Sequence, residues 1–167
     1  MIAKRFLALA AVSALALSAC SSNAAPTDAD CAKAEVLCVG LVTDLGKVDD
    51  KSFNQSAWEG AKAAAEEAGG ISKYVETVDT KDYAANIKQF TDKSYDVIVT
   101  VGFLMADATV AAAKANPNTK FIGVDQFQGE TVDNLTGLIF PEDQAGYAAG
   151  YLAGLIDRKS TRLNSSH

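Results

Sequence analysis

Polar and aromatic side chains follow several apolar runs of this chain, at the points where strands are predicted to end. Asp44 follows VLCVGLVT, Gly102 follows VIVTV and Asp125 follows FIGV, while Phe53 and Asn54 lie in the segment after Asp44. Ligands of open parallel α/β sheets bind beyond the carboxyl ends of the strands, so these residues are expected at one edge. Carboxylates suit ligand hydroxyls and an aromatic ring suits a flat base. The pattern therefore predicts a site that binds a neutral polyol carrying a flat ring.

Several other chemistries are not supported by the sequence. The chain has one histidine and three cysteines, which leaves little for a histidine-dependent nucleophile. Asp44, Asp79 and Asp125 come from separate strands with no ligand-like spacing, so no metal site is predicted. The loop at Gly46 matches neither the dinucleotide nor the P-loop glycine pattern, and no cofactor is expected. The net charge of -6 argues against a nucleic-acid partner.

The 167 residues, 49% of them hydrophobic, are enough for one compact domain and hardly for two. Apolar periodicity alternates between strand and helix from residue 36 onward. We predict strands over 36–43, 74–78, 97–101, 121–124 and 135–140, and helices over 53–68, 83–90, 106–115 and 144–156. This order predicts an α/β fold with a mostly parallel sheet covered by helices on both faces.

The first 20 residues have the features of a targeting signal. Lys4 and Arg5 precede an apolar run over 6–17 that is shorter than the roughly 20 residues a membrane span needs. The tetrapeptide Leu17-Ser18-Ala19-Cys20 resembles a bacterial lipobox. We interpret 1–19 as a lipoprotein signal peptide, Cys20 as the lipidated residue and 20–35 as a tether. The alternative is an ordinary secretory signal with Cys20 incidental. Either interpretation implies an extracytoplasmic location, and the first adds a lipid anchor in the cell membrane.

The remaining cysteines, Cys31 and Cys38, would then lie in a compartment that permits disulfides. Their spacing allows a bridge only if the chain folds back between them. The alternative is two free thiols, one of them a small core residue.

Longer runs in the chain resemble one protein family. Val39 to Gly46 (VGLVTDLG) and Asp49 to Gly60 (DDKSFNQSAWEG) are similar to the N-terminal signature of the basic membrane protein, PnrA-like, family. Its members are lipoprotein substrate-binding components of ABC importers, many of them purine-nucleoside receptors. The resemblance covers roughly 36–156 and continues through VGF, FIGVD and GYAAGYLAG. It implies a periplasmic-binding-protein-like (type I) fold, of which 36–157 would be the N-terminal lobe of a two-lobed protein.

The last ten residues, RKSTRLNSSH over 158–167, break the apolar pattern abruptly. We interpret them as a non-native tail that follows a truncated native frame. The alternative is a frayed native end.

The resemblance also implies roles for individual residues. Phe53 would stack on the purine face and Asn54 would hydrogen-bond the purine edge. Asp44 and Asp125 would lie near the ligand, with Asp125 a candidate for the ribose hydroxyls, and Gly102 would allow close approach of the backbone.

Simpler roles remain open for some of these residues, and one further candidate is added. Phe53 could be a core staple, and Asn54 and Asp44 could be caps or turn formers. Phe103, beside Gly102, is a further candidate to line the cleft.

The expected function is extracytoplasmic capture of a nucleoside for an ABC permease, by closure of two lobes on the ligand. A sugar receptor and a ligand-presenting signalling receptor on the same fold are alternatives. A nucleoside hydrolase is a third, although no catalytic residues are predicted.

Overall fold

A computed structural model of the protein describes residues 25–164, and side chains over 25–157. The predicted signal peptide and Cys20 lie outside the described residues. The first described segment contains a short 3-10 helix at Asp28–Asp30.

Five parallel strands form one sheet in the order β2-β1-β3-β4-β5. The strands are β1 (Cys38–Leu45), β2 (Ile71–Thr77), β3 (Val97–Val101), β4 (Lys120–Val124) and β5 (Leu135–Leu138). The helices are α1 (Phe53–Glu67), α2 (Tyr83–Thr91), α3 (Ala106–Ala115) and α4 (Glu142–Asn164). The predicted α/β class, with a parallel sheet flanked by helices, is confirmed.

Alternate residues of the central strands are buried on opposite faces of the sheet. Val39 and Leu41 pack in one cluster with Ala61 and Ala65 of α1. Val42 lies in a second cluster with core residues of α2 and α3. Both faces are therefore covered, which is why β1 is a nearly continuous apolar run.

The predicted ends of several strands differ from the observed ends. Strand β1 is shifted two residues along the chain, and β2 begins at Ile71 because Ile71–Lys73 pair with β1 from Cys38 onward. As an edge strand with exposed polar positions, β2 carries a weak hydrophobic signal. Strand β5 stops at Leu138, and the exposed Ile139 and Phe140 lead into α4.

The N-terminal segment is fastened to the amino-terminal end of the sheet. Cys31 and Cys38 form a disulfide with their Cα atoms 5.5 Å apart, so the chain folds back between them. Asp28 accepts from Lys73, Lys93 and the Tyr95 hydroxyl. The two lysines, followed by the tyrosine, hold the pKa of Asp28 at about 2, against the opposing effect of burial.

Helix α4 is the least packed element of the fold. Every side chain described along it, over 142–157, is exposed. Tyr147 and Tyr151 stack on one another, with ring centroids 6.3 Å apart, and do not cover the sheet. The backbone stays helical beyond the compositional break at Asp157, and the non-native origin of 158–167 stays a prediction. Within 25–164, no helix combines the length and apolar character that a bilayer crossing requires.

Candidate functional site

The strand order reverses between β1 and β3, and the first two candidate residues meet there. Asp44 lies near the end of β1 and Gly102 directly follows β3. Gly102 has φ 91°, and a Cβ atom built on it would lie 2.1 Å from Asp44 Oδ2. Its amide donates to the Val124 carbonyl at 2.9 Å, and its carbonyl accepts from the buried Gln126 side chain at 3.1 Å. Gly102 thus allows the Asp44 carboxylate to lie against a fixed backbone.

The Asp44 carboxylate is bonded on one of its two oxygens. Oδ1 accepts from the Tyr83 hydroxyl at 2.6 Å and from the Leu45 backbone amide at 2.7 Å. Tyr83 is the first residue of α2 and is 4% exposed. Burial first, and then the Asp44 carboxylate, raise the pKa of Tyr83, so its hydroxyl keeps its proton and donates it.

Asn54 lies beneath the loop that joins β1 to α1. It is 4% exposed; its amide oxygen accepts from the Asp44 backbone amide at 3.1 Å, and its amide nitrogen donates to the Lys47 carbonyl at 3.2 Å. The structure therefore gives Asn54 a role in shaping this loop. Contact with a purine edge, which stays a prediction, would have to share or displace these bonds.

Phe53 begins α1 and presents its ring at the surface. It is 44% exposed and packs edge-on against Phe140, with ring centroids 5.3 Å apart. The start of α1 is fixed by Asp50, whose carboxylate accepts from the backbone amides of Ser52, Asn54 and Gln55. Ser52 occupies the N-cap position but makes no capping bond through its side chain. The Phe53 ring is therefore packed against Phe140 on one side, and the rest of the ring is accessible to solvent.

Phe103 lies on the 3-10 helix Phe103–Met105, immediately after Gly102. Its side chain is 65% exposed. It therefore shares the sheet edge with Gly102 and Asp44, and most of its side chain is accessible.

Asp125 follows β4 in a left-handed conformation with φ 59°. Burial raises the pKa of Asp125, and the neighbouring Glu142 carboxylate and the charge of Asp44 raise it further. Glu142 lies at the start of α4. Three carboxylates thus converge near the carboxyl edge of the sheet, and within 25–157 no ion pair compensates them.

This crowding gives a prediction about stability. Asp125 binds a proton more readily in the folded chain than in the unfolded chain, so its ionised form opposes folding above the raised pKa. We expect Asp125→Asn to increase the free energy of unfolding at pH 7 by about 0.5–2 kcal/mol, the usual gain from relieving a charge conflict. The gain should vanish below pH 3.8, the ordinary pKa of the group.

Thermal unfolding at pH 7 and pH 3 measures this difference. Asp107→Asn is the matched control, because it removes an exposed carboxylate from the favourable first turn of α3 and should be slightly destabilising. A loss of stability in Asp125→Asn at pH 7 equal to that of the control would show that Asp125 is not crowded.

The sequence interpretation missed four residues that shape this edge: Tyr83, Phe140, Glu142 and Asp50. The helical spacing of Tyr83 predicts core packing alone. A buried tyrosine hydroxyl usually has a partner, and that rule is the signal that could have identified it. The Asp79 carboxylate bonds Lys81, two residues further along the chain. Among the described residues, no group of three or more acidic, histidine or cysteine side chains could hold a metal ion.

Carboxylates, an accessible aromatic ring and a closely approached glycine lie together at the switch point of a parallel sheet, which is where folds of this class bind ligands. Residues 38–163 match the family described as ABC transporter substrate-binding protein PnrA-like. The chain belongs to this family.

Individual relatives agree with this assignment. The chain is 34% identical to the ABC transporter nucleoside-binding protein BmpA of Lactococcus lactis, over 96% of this chain and 46% of that protein. It is 29% identical to basic membrane protein A of Borreliella burgdorferi, over 74% of this chain and 37% of that protein. Among solved structures, an ABC transporter solute-binding protein from Aeropyrum pernix is 30% identical with a TM-score of 0.57. That match covers 62% of this chain and 28% of the other. The chain thus spans less than half the length of these relatives.

Proposed function

We propose that this chain is the nucleoside-binding lobe of an extracytoplasmic receptor that serves an ABC permease. The observation that carries the proposal is the pairing, at one sheet edge, of an accessible Phe53 ring with the carboxylates of Asp44 and Asp125. A flat base needs an aromatic face, and ribose hydroxyls need acceptors. The Lactococcus lactis relative is named a nucleoside-binding protein, which supports the same ligand class.

Purine nucleosides are the proposed preferred ligands, because the larger ring system offers more surface for stacking on Phe53. Phe103 would line the same cleft. The uncompensated carboxylates favour neutral ligands with hydroxyl donors over ligands that carry phosphate, whose charge they would repel.

Capture would proceed by closure of two lobes on the ligand, with this lobe supplying one wall of the cleft. Cys20 would carry the lipid that holds the receptor at the membrane. The tether, predicted over 20–35, would be the part of that range before Asp28, because Asp28 and Cys31 are fastened to the sheet. Since α4 is exposed along its described length, it is the proposed route by which the chain leaves this lobe.

A ligand panel tests the proposal. We expect adenosine, guanosine and inosine to bind this chain and to shift backbone amide NMR signals of the β1–α1 loop and of residues 102–103. One wall of a clamp buries only part of its ligand, so millimolar dissociation constants are expected, and NMR detects affinities in that range.

Free ribose is the matched control, since it keeps the hydroxyls and lacks the base. We expect at least a fivefold weaker affinity, from the loss of one stacking contact worth about 1–3 kcal/mol. Equal affinities for ribose and adenosine would favour a sugar receptor. Recovery of free base after incubation would favour a hydrolase.

A further inference from the structure

The two oxygens of the Asp44 carboxylate have different surroundings. Oδ1 is occupied by the Tyr83 hydroxyl and the Leu45 amide. Oδ2 lies against Gly102, and no donor from residues 25–155 bonds it. The carboxylate therefore presents one acceptor that is already saturated and one that is available at the switch point.

Tyr83 reaches this carboxylate from the core. Its ring belongs to the buried cluster on the α2 and α3 face of the sheet, together with Ile87 and Met105. Because the ring is packed on that face, its hydroxyl has a fixed position at the sheet edge. The phenol also keeps its proton, so the bond to Oδ1 is donated by Tyr83 and accepted by Asp44.

We infer that Tyr83 is a positioning residue, whose hydroxyl holds Asp44 in the orientation that presents Oδ2 to a hydroxyl of the ligand. The role rests on the proposed nucleoside-binding function. Without the Tyr83 bond, the Asp44 side chain would rotate among several orientations in the free protein and would have to be ordered during binding. Ordering one side chain weakens binding by about 2- to 12-fold.

A second tyrosine offers a matched control at the opposite end of the sheet. Tyr95 is 1% exposed, and its hydroxyl donates to Asp28 Oδ1 at 3.1 Å. Burial and Asp28 raise the pKa of Tyr95, as burial and Asp44 do for Tyr83. Replacing either tyrosine by phenylalanine removes one hydroxyl-to-carboxylate bond and keeps the packed ring.

The experiment compares adenosine binding to the wild-type chain, Tyr83→Phe and Tyr95→Phe by NMR titration, with a thermal melt of each. We expect Tyr83→Phe to raise the dissociation constant by about 2- to 12-fold and Tyr95→Phe to leave it unchanged. A second ligand, 2′,3′-dideoxyadenosine, lacks the secondary hydroxyls that Oδ2 would accept from. Its affinity should be the same for the wild type and Tyr83→Phe.

The outcomes separate this inference from the function on which it rests. A wild-type chain that binds adenosine, with Tyr83→Phe behaving like Tyr95→Phe, would overturn the positioning role alone. Equal weakening of adenosine and dideoxyadenosine in Tyr83→Phe would also overturn it, because that is the result of a merely structural role. A wild-type chain that binds no nucleoside would reject the proposed function and this role together.

Discussion

Phe53→Ala will weaken the binding of purine nucleosides by about 5- to 150-fold, the loss that corresponds to one base-stacking contact of about 1–3 kcal/mol. Phe53 is outside both buried clusters and 44% exposed, so the substitution removes little core packing. Its helix is capped independently by Asp50, and the start of α1 should remain in place. Isothermal calorimetry or NMR titration with adenosine measures the effect.

Phe53→Tyr is the matched control for this prediction. It keeps a six-membered aromatic face and the edge contact to Phe140, and only adds a hydroxyl to an accessible ring. Its affinity for adenosine should stay within about threefold of the wild type, a change smaller than the lower limit of one stacking contact. If Phe53→Ala binds adenosine as tightly as the wild type, Phe53 does not contact the ligand. Its ring would then serve only to pack against Phe140 at the surface.

The sequence was sufficient to predict the elements whose own residues carry a clear apolar run or periodicity. The β3 range 97–101 and the α3 range 106–115 were predicted as observed, because their own periodicity defines them. Strand β2 was predicted to begin at Tyr74 but begins at Ile71, since the exposed Lys73 is held by backbone pairing to β1. An edge strand is held in register by its neighbour, so the hydrophobic pattern of its own residues does not define where it begins and ends.

The backbone positions of the candidate residues were predictable, while their ligand roles stay predictions. The rule that ligands bind at the carboxyl edge correctly places Asp44, Gly102 and Asp125 at that edge. The direction of each side chain was not predictable, since it depends on local backbone angles and on contacts distant in sequence. Asn54 turns inward to the loop backbone, and Tyr83 bonds a carboxylate 39 positions before it in the chain. Such contacts arise only when strands and helices are assembled.

Gly102→Ala should damage the site severely, although it adds only one methyl group. The new Cβ would lie 2.1 Å from Asp44 Oδ2 and 2.5 Å from its carboxyl carbon, so the Asp44 side chain must move away. That movement breaks the Tyr83 bond, and φ 91° with ψ 143° is itself strained for alanine by about 1–3 kcal/mol. We expect adenosine binding to weaken more than tenfold, because the carboxylate oxygen that would accept a ligand hydroxyl is displaced.

Gly46→Ala separates backbone strain from displacement of Asp44. Gly46 also has a positive φ, 113°, but a Cβ built there meets nothing within 4 Å. Chemical denaturation should show that Gly102→Ala loses more free energy of unfolding than Gly46→Ala, by about 1.5–3 kcal/mol for one hydrogen bond to a charged group. In Gly102→Ala, adding Tyr83→Phe should cost almost nothing further, since both substitutions remove the same bond. If the losses of free energy of unfolding in Gly102→Ala and Tyr83→Phe add fully in the double variant, Asp44 keeps its bond to Tyr83 in Gly102→Ala. Gly102 would then serve only the backbone turn.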